Sequence, residues 1–152
     1  MVSDKMETQY LTLVQHVLDH GDARQGRNGV VHSVFGASLE CDCADGFPLL
    51  TTKKMFWKGI VEELAWFLRG STNVQELRDQ GVHIWDGNSE DRAYDAGPVY
   101  GFQWRHFGAT YTDCHADYHG QGTDQIGHII HLLKTDPTSR RIVLSGWCPP
   151  QQ

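Results

Sequence analysis

Close to its C-terminal end the chain reads Ser139-Arg140-Arg141-Ile142-Val143-Leu144-Ser145-Gly146-Trp147-Cys148-Pro149. A thiol near two guanidiniums suggests nucleophilic chemistry on an anionic substrate. The thiolate is the attacking form, and arginine pairs bidentately with phosphate. The arginines lead into an apolar run, 141–147, that reads as a strand. Alternation along a strand sends neighbouring side chains to opposite faces, so only one of the two easily serves a site in its own subunit. A solvated pair at a strand edge is the other reading. A third guanidinium, Arg27, stands in the polar, glycine-bearing loop Arg24-Gln25-Gly26-Arg27-Asn28-Gly29, again a setting that suits phosphate.

One carboxylate breaks an apolar pattern. Glu63 lies three residues after Ile60 and four before Phe67, on or beside the apolar face of a helix. A carboxylate there costs free energy unless it is paired, which is a setting for proton-transfer work. A glutamate at the face's edge with its head in water fits the spacing equally well. Glu62 shares a face with Lys58 and Arg69 and reads as solvated. The four cysteines are Cys41, Cys43, Cys114 and Cys148. Cys41 and Cys43 are too close for ordinary zinc spacing. Cys114, His115, Asp117 and His119 crowd together, but no second ligand pair stands at a suitable distance, so a polar surface loop is expected and no metal.

These groups need elements to hold them. Apolar residues from Tyr10 to Leu18 recur at helical spacing within 8–20, and Gly21 ends the run. Residues 30–39 read as a strand. A second helix, about 55–68, carries Phe56, Ile60, Val61, Leu64, Phe67 and Leu68 and closes at Gly70. Asn73 with Glu76 forms a capping-box pattern for a short third helix. The stretch 81–108 is aromatic, glycine-bearing and aperiodic, the signature of an ordered functional loop. The polar stretch 111–122 reads as a surface excursion. Asp124 caps a helix carrying Ile126, Ile129, Ile130, Leu132 and Leu133, which Asp136-Pro137 stops. Helices interleaved with strands predict a mixed α/β (α+β) domain.

A length of 152 residues fits one domain, 1–152, able to bury a core. No apolar run approaches the roughly 20 residues of a spanning helix. The start Met1-Val2-Ser3-Asp4-Lys5 has no signal core, so a cytoplasmic setting with reduced thiols is expected. A formal charge of −6 argues against a nucleic-acid partner, so an anionic ligand must meet local arginines.

Several blocks then resemble one family. Gly46-Phe47-Pro48-Leu49-Leu50-Thr51-Thr52-Lys53-Lys54, and Glu63-Leu64-Ala65-Trp66-Phe67-Leu68-Arg69-Gly70-Ser71-Thr72-Asn73, are similar to thymidylate synthases. So are Ile84-Trp85-Asp86, Gly97-Pro98-Val99-Tyr100-Gly101-Phe102-Gln103-Trp104-Arg105, and the Ser139-Arg140-Arg141 run to Trp147. The blocks stand in the family's order. The resemblance implies a thymidylate synthase-like mixed sheet with flanking helices. It also implies reductive methylation of deoxyuridylate (dUMP) to thymidylate, with methylenetetrahydrofolate as carbon donor and reductant.

Carried over by position, the resemblance gives Arg27 a grip on the nucleotide phosphate, although the Arg-Asn-Gly loop is shortened here. Arg140 and Arg141 resemble a pair that reaches the partner subunit's phosphate, which implies a homodimer or a complementary C-terminal chain. Glu63 resembles the glutamate that organises water and proton transfer around the pyrimidine. Trp85 matches a folate-facing aromatic, and Tyr100 a tyrosine of the active-site wall. Asn73, Asp86 and Trp104 are expected to be structural. The family's nucleophile belongs to a later Pro-Cys-His segment, which these residues do not contain. Cys148 takes the asparagine position of Ser-Ala-Trp-Asn-Pro, so it is not expected to be the nucleophile. The chain is therefore expected to be a catalytically incomplete N-terminal portion, its sheet lacking C-terminal strands. Two alternatives remain at this point. One is a deoxycytidylate hydroxymethylase, which shares the scaffold; the other is a non-catalytic scaffold binding nucleotide or a partner chain.

Overall fold

The computed structural model describes residues 4–27 and 29–151. Asn28 of the Arg27-Asn28-Gly29 loop, and the terminal Gln152, lie outside the described residues. The chain falls into two compact units, Met1–Met55 and Phe56–Gln152.

In the first unit, helix α1 spans Asp4–His20. It stops as expected at Gly21, whose N–H bonds the Val17 carbonyl at 2.8 Å. Strands β1 (Asp22–Gly26) and β2 (Gly29–Ser33) then pair antiparallel, with Asp22 opposite Ser33 and Gly26 opposite Gly29. The expected loop 24–29 is thus largely a strand, and the expected strand 30–39 is cut to Gly29–Ser33. The tight connection explains both: it folds a polar segment back onto an apolar one, and ladder hydrogen bonds override β1's weak apolar pattern. The Pro48–Thr52 segment is tied to α1 through Glu7, whose carboxylate accepts the Thr51 N–H at 2.8 Å and its hydroxyl at 2.7 and 2.9 Å. None of the described residues of this unit is buried.

The second unit holds α2 (Trp57–Arg69), α3 (Gln75–Asp79), α4 (Tyr100–His106) and α5 (Gln125–Thr135). Gly70 closes α2 in the left-handed conformation, φ 75°, as its position predicts. The core gathers Trp66, Val74, Leu77, Val82 and Ala96, with Phe67, Trp85, Tyr94 and Val99 packed against it. Each fully buried aliphatic side chain contributes roughly 1.5–3 kcal/mol. The Trp66 indole N–H is satisfied by the Asn73 carbonyl at 3.0 Å. Asn73 also receives the Gln75 N–H on its side chain at 3.0 Å. The other half of the capping box does not form: Glu76 accepts from Ser71 at 2.7 Å and from Arg69 at 3.3 Å instead. Asp124 caps α5 by accepting the Gly127 N–H at 2.9 Å.

Two expectations are corrected in this unit and a third is refined. The aperiodic stretch 81–108 contains α4, whose apolar period is hidden by aromatic residues facing two neighbours. The stretch 111–122 does run at the surface, but Tyr111 and Tyr118 tie it down by meeting the ring of buried Phe102 edge-on, at 5.0 and 4.8 Å between centroids. Finally, 141–147 runs without a ladder, since no strand lies beside it among the described residues. Its Ser145 backbone instead exchanges two hydrogen bonds with the Gln125 side chain, at 2.9 and 3.0 Å. The architecture is mixed α/β, with a two-stranded antiparallel hairpin as the sheet among the described residues.

Helices α2 and α4 touch backbone to side at Gly101. A Cβ there would stand 2.8 Å from the Phe67 Cα and carbonyl oxygen. Gly101→Ala would gain up to about 1 kcal/mol of helix propensity. It would lose about 1–3 kcal/mol to overpacking against a backbone that cannot yield. We expect the thermal midpoint to fall; an unchanged or higher midpoint would show that the two helices separate at little cost.

Candidate active site

Glu63 sits at the end of the second turn of α2, half-buried, and its Oε1 accepts the indole N–H of Trp85 at 2.7 Å. This pairing offsets the cost of a carboxylate beside an apolar face. The head is held by an aromatic donor and is not left to water alone.

The turn carrying Trp85 is anchored from α3. Asp86 accepts Arg78 Nη1 at 2.6 Å, and His83 Nδ1 lies 3.0 Å from the same oxygen. Ala93 and Tyr94 take left-handed φ values of 52° and 65°, a conformation that costs L-residues free energy. The Arg78 guanidinium stacks 4.2 Å over the Tyr94 ring, which helps to offset that cost.

Phe67 is the hub of the site. Its ring meets Trp85 edge-on at 6.1 Å, Tyr100 at 5.5 Å and Trp104 at 5.7 Å, while Trp66 lies 5.3 Å away. Tyr100 opens α4, just after Gly97-Pro98-Val99. That entry is fixed by Asp95, which accepts the Gly97 N–H at 2.7 Å, the Cys114 N–H at 3.1 Å, and the Tyr111 hydroxyl. Burial, and then the Asp95 carboxylate, push Tyr111 ionisation well above the usual tyrosine range, so it stays a donor.

Trp85 and Tyr100 line a cavity of about 380 Å³, together with Arg92, Gly146 and Cys148. Gly146 packs closely there: a Cβ would stand 3.0 Å from Tyr100 Cδ1, so the ring would have to shift by a few tenths of an ångström. Cys148 is buried and shares this cavity. Glu63, Trp85 and Tyr100 are therefore gathered around one aromatic cluster. Arg140 and Arg141 lie outside it, exposed in a turn after α5. No strand alternation separates their side chains. Arg27 is exposed in the hairpin turn of the first unit. None of the three has a salt bridge among the described residues, unlike Arg69, Arg78 and Arg105. No group of three or more metal-ligating side chains converges among the described residues. Burial, with Asp95 next in weight, raises the Cys114 thiol above its usual range, so it is a weak ligand.

Two supports went unread in the sequence. Phe67 is one of several apolar residues on the helix stripe, and Asp95 falls unmarked in the aperiodic stretch 81–108. The Asp95-x-Gly97 spacing, an aspartate two residues before a glycine whose N–H it accepts, was the available signal for the second.

Residues 8–152 match the model of the family described as thymidylate synthase. The chain belongs to the thymidylate synthase family. It is 50% identical to the thymidylate synthase of Bos taurus, over 94% of this chain and 44% of that protein. Against the thymidylate synthase of Homo sapiens it is 49% identical, over 94% of this chain and 50% of the relative. Against the bifunctional dihydrofolate reductase-thymidylate synthase of Paramecium tetraurelia it is also 49% identical, over 96% of this chain and 34% of that protein. The chain thus spans about a third to a half of the curated relatives it matches. The aromatic cluster around Glu63 lies inside the residues matched to the family.

Proposed function

We propose that the chain serves thymidylate synthesis, the reductive methylation of dUMP to dTMP with methylenetetrahydrofolate as co-substrate, and that residues 1–152 act as one functional domain in a cytoplasmic homodimer. The observation that carries the reading is the Glu63–Trp85 hydrogen bond at the edge of the Phe67 cluster. A carboxylate fixed by an indole N–H keeps its second oxygen for water, and so can hold or pass a proton beside a bound pyrimidine. The aromatic wall of Trp85 and Tyr100, around about 380 Å³, suits a planar heteroaromatic ring. The co-substrate supplies the one-carbon unit and the reducing equivalents. Trp85 orients it, Tyr100 walls the pyrimidine side, and Arg27, Arg140 and Arg141 bind phosphate.

The test expresses this chain together with a complementary C-terminal synthase segment, because the chain alone is expected to be inactive. The pair should rescue a thymidine-requiring strain, and Glu63→Leu should lower kcat by about 10²–10⁴-fold with a smaller change in KM. A stably expressed product that leaves the strain thymidine-dependent would overturn the reading.

A further inference from the structure

We propose that His16 and His20, on the last turns of α1, form a two-imidazole clamp for a divalent transition-metal ion, separate from the aromatic cavity. The two residues stand one helical turn apart, the i, i+4 spacing that puts side chains on one face. Their rings are already side by side, with centroids 4.8 Å apart and planes inclined by 30°. In-plane lone pairs of two stacked rings run roughly side by side, so a rotation of the His16 side chain is what brings both to one ion.

A second, independent feature concerns the tautomer. His20 Nδ1 lies 3.2 Å from the His16 backbone carbonyl. A carbonyl only accepts, so this contact places the proton on Nδ1 and leaves the Nε2 lone pair for a metal. Metal-binding histidines are oriented in this same way by a backbone carbonyl behind the ring. Both side chains are exposed, so an ion arrives without opening a core. Asp19, three residues beyond His16, adds negative charge on the same side while its Oδ1 accepts the Gln15 amide at 2.8 Å.

No third ligand converges on the pair among the described residues, so water completes the coordination sphere. The site should therefore follow the intrinsic order for nitrogen ligands, with Cu²⁺ and Ni²⁺ above Co²⁺ and Mn²⁺. A bound ion would link residues 16 and 20 across the end of α1, immediately before Gly21 and the hairpin.

The experiment titrates Ni²⁺ into the ¹⁵N-labelled chain and follows paramagnetic broadening of amide signals. We expect signals of residues 16–21 to broaden first. His16→Asn and His20→Asn should each weaken the effect by about 10²-fold, because each removes one arm of an intramolecular chelate. Both rings are exposed, so the variants keep the fold, which an otherwise unchanged spectrum verifies. Three results would sink the proposal: no localised broadening, broadening centred on the cysteines or on His128 and His131, or either variant behaving like the parent chain.

Discussion

The purified 152-residue chain should release no tritium from 5-tritiated deoxyuridylate, with or without methylenetetrahydrofolate. Nucleophilic attack on a pyrimidine ring needs an accessible thiolate. Cys148 is 8% exposed and packed in the cavity that Tyr100 lines. Cys114 has its thiol raised, by burial first, and Cys41 is raised as well, so neither favours the thiolate. These residues hold no Pro-Cys-His segment of the kind the resemblance associates with the nucleophile. Cys148→Ser should leave this zero rate unchanged. Turnover by the purified chain that vanishes in Cys148→Ser would make Cys148 the nucleophile and reverse the assignment.

The second large effect concerns phosphate. In a dimeric synthase carrying these residues, Arg27→Ala, and separately the pair Arg140→Ala/Arg141→Ala, should each weaken nucleotide binding. One charge-assisted contact is worth about 1.5–3 kcal/mol, or roughly 10- to 150-fold in affinity. All three guanidiniums lack a salt bridge among the described residues, so an incoming phosphate displaces no carboxylate. The sharper expectation comes from mixing. If Arg27 acts within its own subunit and the pair acts on the partner's site, a mixed dimer has one site with every arginine and one with none. Co-expressing the two inactive variants should then restore up to half the activity per mixed dimer. Differentially tagged mixed dimers that form but stay as inactive as the parents would rule out the cross-subunit role.

Helices were legible where local signals were complete. The Asp124 cap, the Gly70 and Gly21 stops and the stripe Ile60–Phe67 are all written within a few residues of where they act. Strands were less legible because a strand is defined by its neighbour. Residues 22–26 carry no apolar alternation yet pair along their full length, while 141–147 carries a good strand pattern and has no partner beside it among the described residues. The site divided in the same way. Glu63 stood out as a carboxylate against an apolar face, but spacing alone could not say what held it. Its indole partner is 22 residues away, brought back by the turn that Asp86 and Arg78 secure. Phe67 was invisible as a hub because ring-edge contacts leave no periodic trace.

That no described residue of the first unit is buried has a consequence for how this chain can change over evolutionary time. Where side chains are buried, as at Trp66 or Phe102, most replacements leave a cavity, and the set of acceptable residues is narrow. Where order comes from backbone pairing and single polar ties such as Glu7 to Thr51, packing constrains few positions, and the tie-bearing residues resist replacement along with Arg27 in its proposed phosphate-binding role. Substitutions should therefore accumulate faster across 4–55 than across 57–107. Within the first unit they should spare Glu7, Thr51 and Gly21 even where nothing touches a ligand.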